Sequence, residues 1–162
     1  MSKAPPNKND AVDLLDADHI AVKKLFVEFK KLSEDDGSPK AKKTLADRIC
    51  NELTVHMRLE EEIFYPPVRK ATQDHALLDE AEVEHDSGKS LIAQITAMGP
   101  EEDKFDAKVI VLGEYIDHHV TEEREELFPE ARKSDVDLVA MVPVLEKRKA
   151  ELMATKRERA SA

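Results

Sequence analysis

The sequence of 162 residues has no tryptophan, one cysteine and four glycines, and aromatic residues make up only 4% of it. Strands favour aromatic and β-branched residues and tight turns favour glycine, so this composition excludes a β-rich fold and favours a helical one. The single cysteine, Cys50, can form neither an internal disulfide nor a thiolate metal cluster. Hydrophobic residues make up 41% of the chain, which is enough for one domain with a core.

Basic residues are also too few to balance the acidic ones, and the formal net charge is −10. Nucleic acids and anionic membranes bind basic surfaces, so we expect neither as a partner; cations suit this charge. No apolar run approaches the length of a membrane span, and the opening "MSKAPPNKND" lacks the apolar core of a signal peptide. We therefore expect a cytoplasmic protein. The sequence carries no signature of an oligomeric state.

Apolar residues recur at helical spacing in four long stretches with short connections, which predicts an all-α, up-down-up-down four-helix bundle. Ser38 and Pro39 are a typical cap and first residue for the second helix. The "YPP" motif and Pro129 are expected to end the second and fourth helices, because proline lacks a backbone N–H. The predicted organisation is a disordered tail (1–9), the bundle (10–134) and a C-terminal extension (135–162) of one or two helices, in which Pro143 starts or breaks a helix.

The bundle is predicted to contain two copies of one helical hairpin. The second and fourth helices carry "NELTVHMRLEEEIFYPPVRKA" and "EYIDHHVTEEREELFPEARKS", and the first and third match more weakly in "DADHIAVKKLF" and "EVEHDSGKSLI". The aligned pairs include His19 with His85, His56 with His119, and Glu60 with Glu123. Each copy therefore has a lone histidine on its first helix and a His-x-x-x-Glu motif on its second.

Residues four apart share a helix face, so His-x-x-x-Glu presents an imidazole beside a carboxylate, a ligand pair that suits divalent or trivalent metal ions. The spacing alone is weak evidence, because four of the six histidines have an acid at that position. Helix faces separate the adjacent His118 and His119: apolar residues flank His119, whereas the face of His118 is mostly acidic. We predict that His119 points inward with Glu123, and that His118 and His75 are exposed.

His19 and His85 also lie on apolar stripes, and a carboxylate within an apolar stripe is costly unless a positive group meets it. Four histidines and two carboxylates on four helices can converge at the middle of the bundle. Six ligands are too many for one tetrahedral zinc but suit a two-metal centre. The predicted metal ligands are His19, His56, Glu60, His85, His119 and Glu123. The competing interpretation is a metal-free bundle with buried His–Glu pairs.

With these motifs in this order, the sequence resembles the hemerythrin-like family, specifically the bacterial HHE cation-binding domains, over residues 10–134. The resemblance implies a non-haem di-iron site of two iron ions. Glu60 and Glu123 would bridge the irons together with an oxo or hydroxo group, one iron taking the histidines of the first hairpin and the other those of the second. Each iron would keep an open position for dioxygen, hydrogen peroxide or nitric oxide. Manganese fits the same ligands on chemistry alone.

The sequence departs from the oxygen-carrying hemerythrins at two points. Those proteins have a further histidine where this chain has Ala81, and their last acid lies five residues after its histidine, where this chain has Arg124. Reversible oxygen carriage is therefore not expected. The expected function is the handling of small oxidants or gases, by catalase-like peroxide breakdown or by oxygen or nitric oxide sensing. The alternative is iron storage, donation or sensing without turnover.

Three other residues lie one helical turn before a predicted ligand. Asp16 and Glu82 could each be an additional ligand, hold the neighbouring imidazole by a hydrogen bond, or be an ordinary exposed acid. Tyr115 could border the site or pack in the core. The sequence leaves these alternatives open.

Overall fold

The computed structural model describes residues 9–161, with side chains through residue 156, so the predicted N-terminal tail lies outside the described residues except for Asn9. The elements are α1 (Ala11–Glu34), α2 (Pro39–Leu59), the π-helical turn π1 (Glu60–Phe64), α3 (Tyr65–Ala71), α4 (His75–Ala97), α5 (Phe105–Glu122), the π-helical turn π2 (Glu123–Leu127), α6 (Phe128–Lys133) and α7 (Leu138–Ser161).

Helices α1, α2, α4 and α5 form the predicted four-helix bundle, and residues 9–161 contain no strand. Helix α1 packs beside α2 and α5, and α4 packs beside the same two helices. The additional helix α7 lies against α1 and α2. This arrangement confirms the predicted fold class. None of the described helices combines the length and the apolar content that a membrane span requires.

Side-chain caps fix where the first two helices begin. The carboxylate of Asp10 accepts a hydrogen bond from the backbone N–H of Asp13 at 2.9 Å, and the carboxylate of Asp13 accepts one from the backbone N–H of Asp10 at 3.2 Å. The hydroxyl of Ser38 accepts from the backbone N–H of Ala41 at 3.1 Å, and Pro39 occupies the first turn of α2, as predicted.

The predicted helix ends at the prolines are wrong. The chain remains helical through Pro66 and Pro67 to Ala71, and through Pro129 to Lys133. A proline ring clashes with the carbonyl four residues earlier in a regular α-helix. Each proline here is preceded by a π-helical turn, whose wider loop of backbone accommodates the ring without ending the helix.

Each π-helical turn begins at a predicted metal ligand. The carbonyl of Glu60 accepts from the N–H of Tyr65, five residues later, and the carbonyl of Glu123 accepts from the N–H of Phe128 in the same way. Such turns add one residue to a helix and recur at functional sites. The two aligned glutamates therefore occupy equivalent, locally widened positions.

The C-terminal extension is one helix, α7, with Pro143 inside it. Its apolar residues join a cluster at one end of the bundle: Leu138, Met141, Leu145 and Leu152. A second apolar cluster occupies the other end of the bundle and includes Phe29, Ile49 and Phe105. Along α1, for example, Leu15 belongs to the first cluster and Val22 to the second, so His19 lies between the two.

Candidate metal centre

The structure brings the six predicted ligand residues together between the two apolar clusters, and each is at most 6% exposed. They come from four helices and two π-helical turns: His19 from α1, His56 from α2, Glu60 from π1, His85 from α4, His119 from α5 and Glu123 from π2. They form two overlapping groups, each able to hold a metal ion, with Glu60 in both.

The histidines form two pairs whose Nε2 atoms face each other. The Nε2 atoms of His19 and His56 are 2.9 Å apart, and those of His85 and His119 are 3.2 Å apart. Two imidazoles bound at right angles to one ion, with bonds of about 2.1 Å, place their nitrogens roughly 3 Å apart. The spacing within each pair therefore fits two histidines that share one metal ion.

The two carboxylates lie between the histidine pairs. Glu60 Oε1 is 3.2 Å from the Nε2 atoms of both His56 and His85. Glu123 Oε1 is 2.8 Å from His119 Nε2 and 3.5 Å from His19 Nε2. Each carboxylate thus contacts one histidine of each pair, which is the placement that a bridging ligand between two ions requires.

The outward Nδ1 atoms of the histidines face carboxylates. Asp18 lies 3.2 Å from His56 Nδ1, and Glu84 lies 3.1 Å from His119 Nδ1. Both acids come directly before a histidine on the neighbouring helix, and the repeat aligns them with each other. Such partners fix an imidazole with its proton on Nδ1, so that the Nε2 lone pair points toward a metal ion.

The other two histidines have unequal partners. Asp16 Oδ1 is 3.2 Å from His19 Nδ1, which is the hydrogen-bonding alternative for this residue. Glu82 instead binds Arg69 at 3.1 Å and does not fill that role for His85. The nearest acid to His85 Nδ1 is Glu61, whose Oε2 is 3.5 Å away.

One aromatic residue that the sequence interpretation missed lies at the centre. The hydroxyl of Tyr65 is 3.2 Å from His85 Nε2 and 3.5 Å from Glu123 Oε2. Burial raises the pKa of Tyr65 well above its usual value, and the nearby charge of Glu123 raises it further, so the phenol keeps its proton. Tyr115, considered for this position, is 49% exposed and neither lines the site nor packs in the core.

Three other residues with side chains of a ligand type lie away from the centre, as predicted for His75 and His118. His75 is exposed, as predicted. The side chain of His118 is 67% exposed and lies 3.1 Å from Glu122 on the outer face of α5. Cys50 is buried in the distant apolar cluster, and burial raises the pKa of its thiol to about 11, so it stays protonated.

The buried lone pairs need a positive charge between them. Both oxygens of Glu60 and one of Glu123 lack a hydrogen-bond donor within the described part of the chain. Without metal, protons on the histidines must supply this positive charge. Burial lowers the pKa of His56, but the charge of Glu60 and the hydrogen bond to Asp18 outweigh burial and raise the pKa to about 10. Burial likewise lowers the pKa of His119, but Glu123 raises it to about 12. The same field would hold metal cations, so the residues fit a metal centre.

A small, largely enclosed cavity adjoins the four histidines. About 10 Å³ of it is open to the centre of a water molecule, which is room for roughly one water. Apart from Asp18 and the four histidines, its walls are apolar: Val22, Leu53, Met57, Ile116 and Val120. The cavity therefore has room only for a very small ligand.

Comparison with known proteins gives the family. A model described as the hemerythrin HHE cation binding domain matches residues 10–131. The chain belongs to this family. The HHE chain is 30% identical over 122 residues to a DNA nickase from Nostoc sp. (strain PCC 7120 / SAG 25.82 / UTEX 2576). That match covers 75% of the HHE chain and 33% of the nickase, so the chain spans about a third of that relative's length.

The bundle of this HHE protein is also similar to a solved structure. The crystal structure of a hemerythrin HHE cation binding domain-containing protein from Mycobacterium kansasii matches it with a TM-score of 0.72 and 20% sequence identity, over 92% of this chain and 93% of that chain. At this identity the similarity shows the fold alone. The metal-binding character of the HHE chain follows from the family and from its buried histidine and glutamate clusters.

Two positions of this HHE chain differ from the oxygen-carrying hemerythrins, and the structure shows how each is used. Ala81 is buried, 3% exposed, and contributes no ligand atom. Arg124 directs its guanidinium to Asp16, with Nε 2.6 Å from Oδ1. Asp16 therefore links a surface arginine on π2 with the imidazole of His19 on α1.

Proposed function

We propose that this protein holds two iron ions and uses them to bind and break down small oxidants, with hydrogen peroxide as the substrate. His19 and His56 would hold one ion, and His85 and His119 the other. Glu60 and Glu123 would bridge the two ions. The supporting observation is the set of facing Nε2 pairs, 2.9 and 3.2 Å apart, that share two buried carboxylates beside a largely enclosed cavity.

The ligand chemistry favours iron among the available metals. Imidazole and carboxylate ligands suit iron and manganese, and the absence of thiolate from the centre disfavours copper(I). The family resemblance favours iron over manganese. A pair of redox-active ions held this close together would supply two electrons to one ligand, which is the number that breaking an O–O bond requires.

The protein's own residues would control access and protons. The apolar cavity excludes molecules much larger than water, which selects peroxide, dioxygen or nitric oxide over organic substrates. With His85 Nε2 engaged by an ion, Glu123 Oε2 remains as the acceptor for the hydroxyl of Tyr65. Tyr65 is then a buried O–H donor beside the centre on one side only, because the repeat places Phe128 at the equivalent position.

The test is peroxide consumption by iron-loaded protein. Oxygen release is recorded with an electrode after addition of hydrogen peroxide to wild type and to the His56→Ala/His119→Ala variant, and iron content is measured for both. We expect two irons per chain and oxygen release from wild type alone. Iron that binds without oxygen release, and that passes to a chelator within minutes, would replace this proposal with iron storage or donation.

The nickase relative does not extend the proposal to DNA cleavage. The chain corresponds to a third of that protein, and its net charge of −10 opposes contact with a phosphate backbone. Supercoiled plasmid incubated with the iron-loaded protein should stay supercoiled. If wild type nicks the plasmid and the His56→Ala/His119→Ala variant does not, this expectation is wrong.

A further inference from the structure

Met57 brings an oxidisable sulfur to the cavity beside the metal centre. It directly follows His56, is 2% exposed and lines the cavity with the four histidines. The repeat aligns Met57 with Val120, and it aligns Val22 with Gly88, which has no side chain. A Cβ at position 88 would lie 3.9 Å from the Met57 sulfur, so the sulfur sits against α4 less than one turn after His85.

We propose that Met57 is a modification site: hydrogen peroxide admitted to the cavity oxidises its thioether to the sulfoxide. In this step a sulfur lone pair forms a bond to one peroxide oxygen and the O–O bond breaks. The other oxygen leaves with both protons as water. Sulfur loses two electrons and the peroxide gains them, so atoms and electrons balance without another reagent. The inference rests on the proposed function, because it requires peroxide to enter this cavity.

Oxidation of Met57 would block access to the metal centre. The sulfoxide oxygen is polar and comparable in size to the space available, about 10 Å³ in an otherwise apolar cavity. Its formation fills the position that a small ligand needs and ends access to the histidines. Met57 thereby limits the number of peroxide molecules that one protein consumes.

The order in which methionines react distinguishes this process from ordinary damage. Peroxide in bulk solvent oxidises exposed methionines first, and Met57 is less exposed than Met98, Met141 or Met153. Burial therefore predicts Met57 as the last of these four to react. Oxidation that starts in the cavity predicts it as the first.

The experiment measures sulfoxide at each methionine by peptide mass spectrometry. Trypsin releases residues 49–58, in which Met57 is the sole methionine. Iron-loaded wild type, metal-free wild type, and the His56→Ala/His119→Ala variant with the same amount of added iron are treated with hydrogen peroxide over a time course. Bound iron would hold peroxide beside the sulfur, so in the iron-loaded protein we expect the Met57 peptide to gain one oxygen at least about tenfold faster than in either control. The variant with added iron controls for free iron in solution.

A second variant tests the consequence for turnover. Met57→Leu keeps the volume and the apolar character of the side chain but cannot be oxidised. We expect it to consume several-fold more peroxide than wild type before activity stops. If wild type releases oxygen while the Met57 peptide stays unmodified, or is modified equally in the controls, the inference is overturned and the proposed function stands. If peroxide is not consumed and no oxygen atom is transferred to the Met57 sulfur, both the inference and the proposed function fail.

Discussion

At the residue scale, two adjacent histidines have opposite surroundings. His119 is buried between Glu123 and Glu84, whereas the side chain of His118 is 67% exposed. One residue corresponds to a rotation of about 100° on a helix, which separates a face directed at the core from a face directed at solvent. Glu84 touches both residues, 3.1 Å from His119 Nδ1 and 3.7 Å from His118 Nε2, but only His119 also reaches the shared carboxylates.

Substitution of these two histidines should therefore have different effects on metal binding. His119→Ala removes an inward ligand and should lower metal affinity by more than about 100-fold, whereas His118→Ala should change it by less than about threefold. Competition with a chelator of known affinity measures both values. The reverse ranking would mean that α5 has a different register from the one described.

Tyr65 should affect reactivity more than metal binding. Tyr65→Phe removes the hydroxyl near Glu123 while keeping the ring, so we expect two bound ions and a rate of peroxide breakdown lowered at least about tenfold. The matched control is Tyr115→Phe, which alters a half-exposed tyrosine on the outside of α5. Equal rates for the two variants would show that the Tyr65 hydroxyl takes no part in the reaction.

The internal repeat made most of the site predictable. It placed all six residues that converge at the centre, because aligned positions in the two hairpins carry the same side-chain types. The same alignment pairs Asp18 with Glu84 and could have revealed them as imidazole partners. It conceals Glu61, which aligns with Arg124, and Tyr65, which aligns with Phe128. Where the two halves differ chemically, symmetry carries no information about the site.

At the scale of elements, the rule that a proline ends a helix fails here because a π-helical turn precedes Pro66 and Pro129. A π-helical turn satisfies the Glu60 and Glu123 carbonyls five residues later, so the helix continues past Pro66 and Pro129. Sequence patterns at the period of an α-helix do not contain this extra residue. Helices α1, α2, α4 and α5, by contrast, were predictable from apolar periodicity and caps.

Helix α7 should contribute substantially to stability. Leu145 is fully buried in the apolar cluster that α7 shares with the bundle. Leu145→Ala should lower the free energy of unfolding by about 2–5 kcal/mol, because it leaves a cavity. Val144 is 53% exposed, and Val144→Ala should cost less than about 0.5 kcal/mol. Urea denaturation of both variants checks this; similar midpoints would mean that α7 packs loosely on the bundle.

At the scale of the whole molecule, protons and metal ions compete for one buried centre. The raised pKa values of His56 and His119 stabilise the metal-free fold fully below the unfolded value of 6.5, and this contribution is lost as the pH rises toward about 10 and about 12. The lowered pKa of Glu60 contributes above the unfolded value of 4.5 and is lost as the pH falls below it. Metal must displace the histidine protons, which is easier at higher pH.

The stabilisation by metal should therefore grow with pH. We expect the difference in Tm between iron-loaded and metal-free protein to increase as the pH rises from about 6 to about 9, because the metal-free form loses its proton-dependent stability. Thermal unfolding followed by circular dichroism, at constant ionic strength, gives both values. A constant difference across this range would show that the histidines are neutral in the metal-free fold.

The central claim is that one bundle holds two metal ions, one at each histidine pair. The most direct test is a crystal structure of the iron-loaded protein with anomalous scattering recorded at the iron edge. We expect two anomalous peaks per chain. One should lie about 2.1 Å from the Nε2 atoms of His19 and His56, the other about 2.1 Å from those of His85 and His119, with the Glu60 carboxylate between them. A single peak, or peaks on the exposed face of α5 near His118, would contradict the central claim.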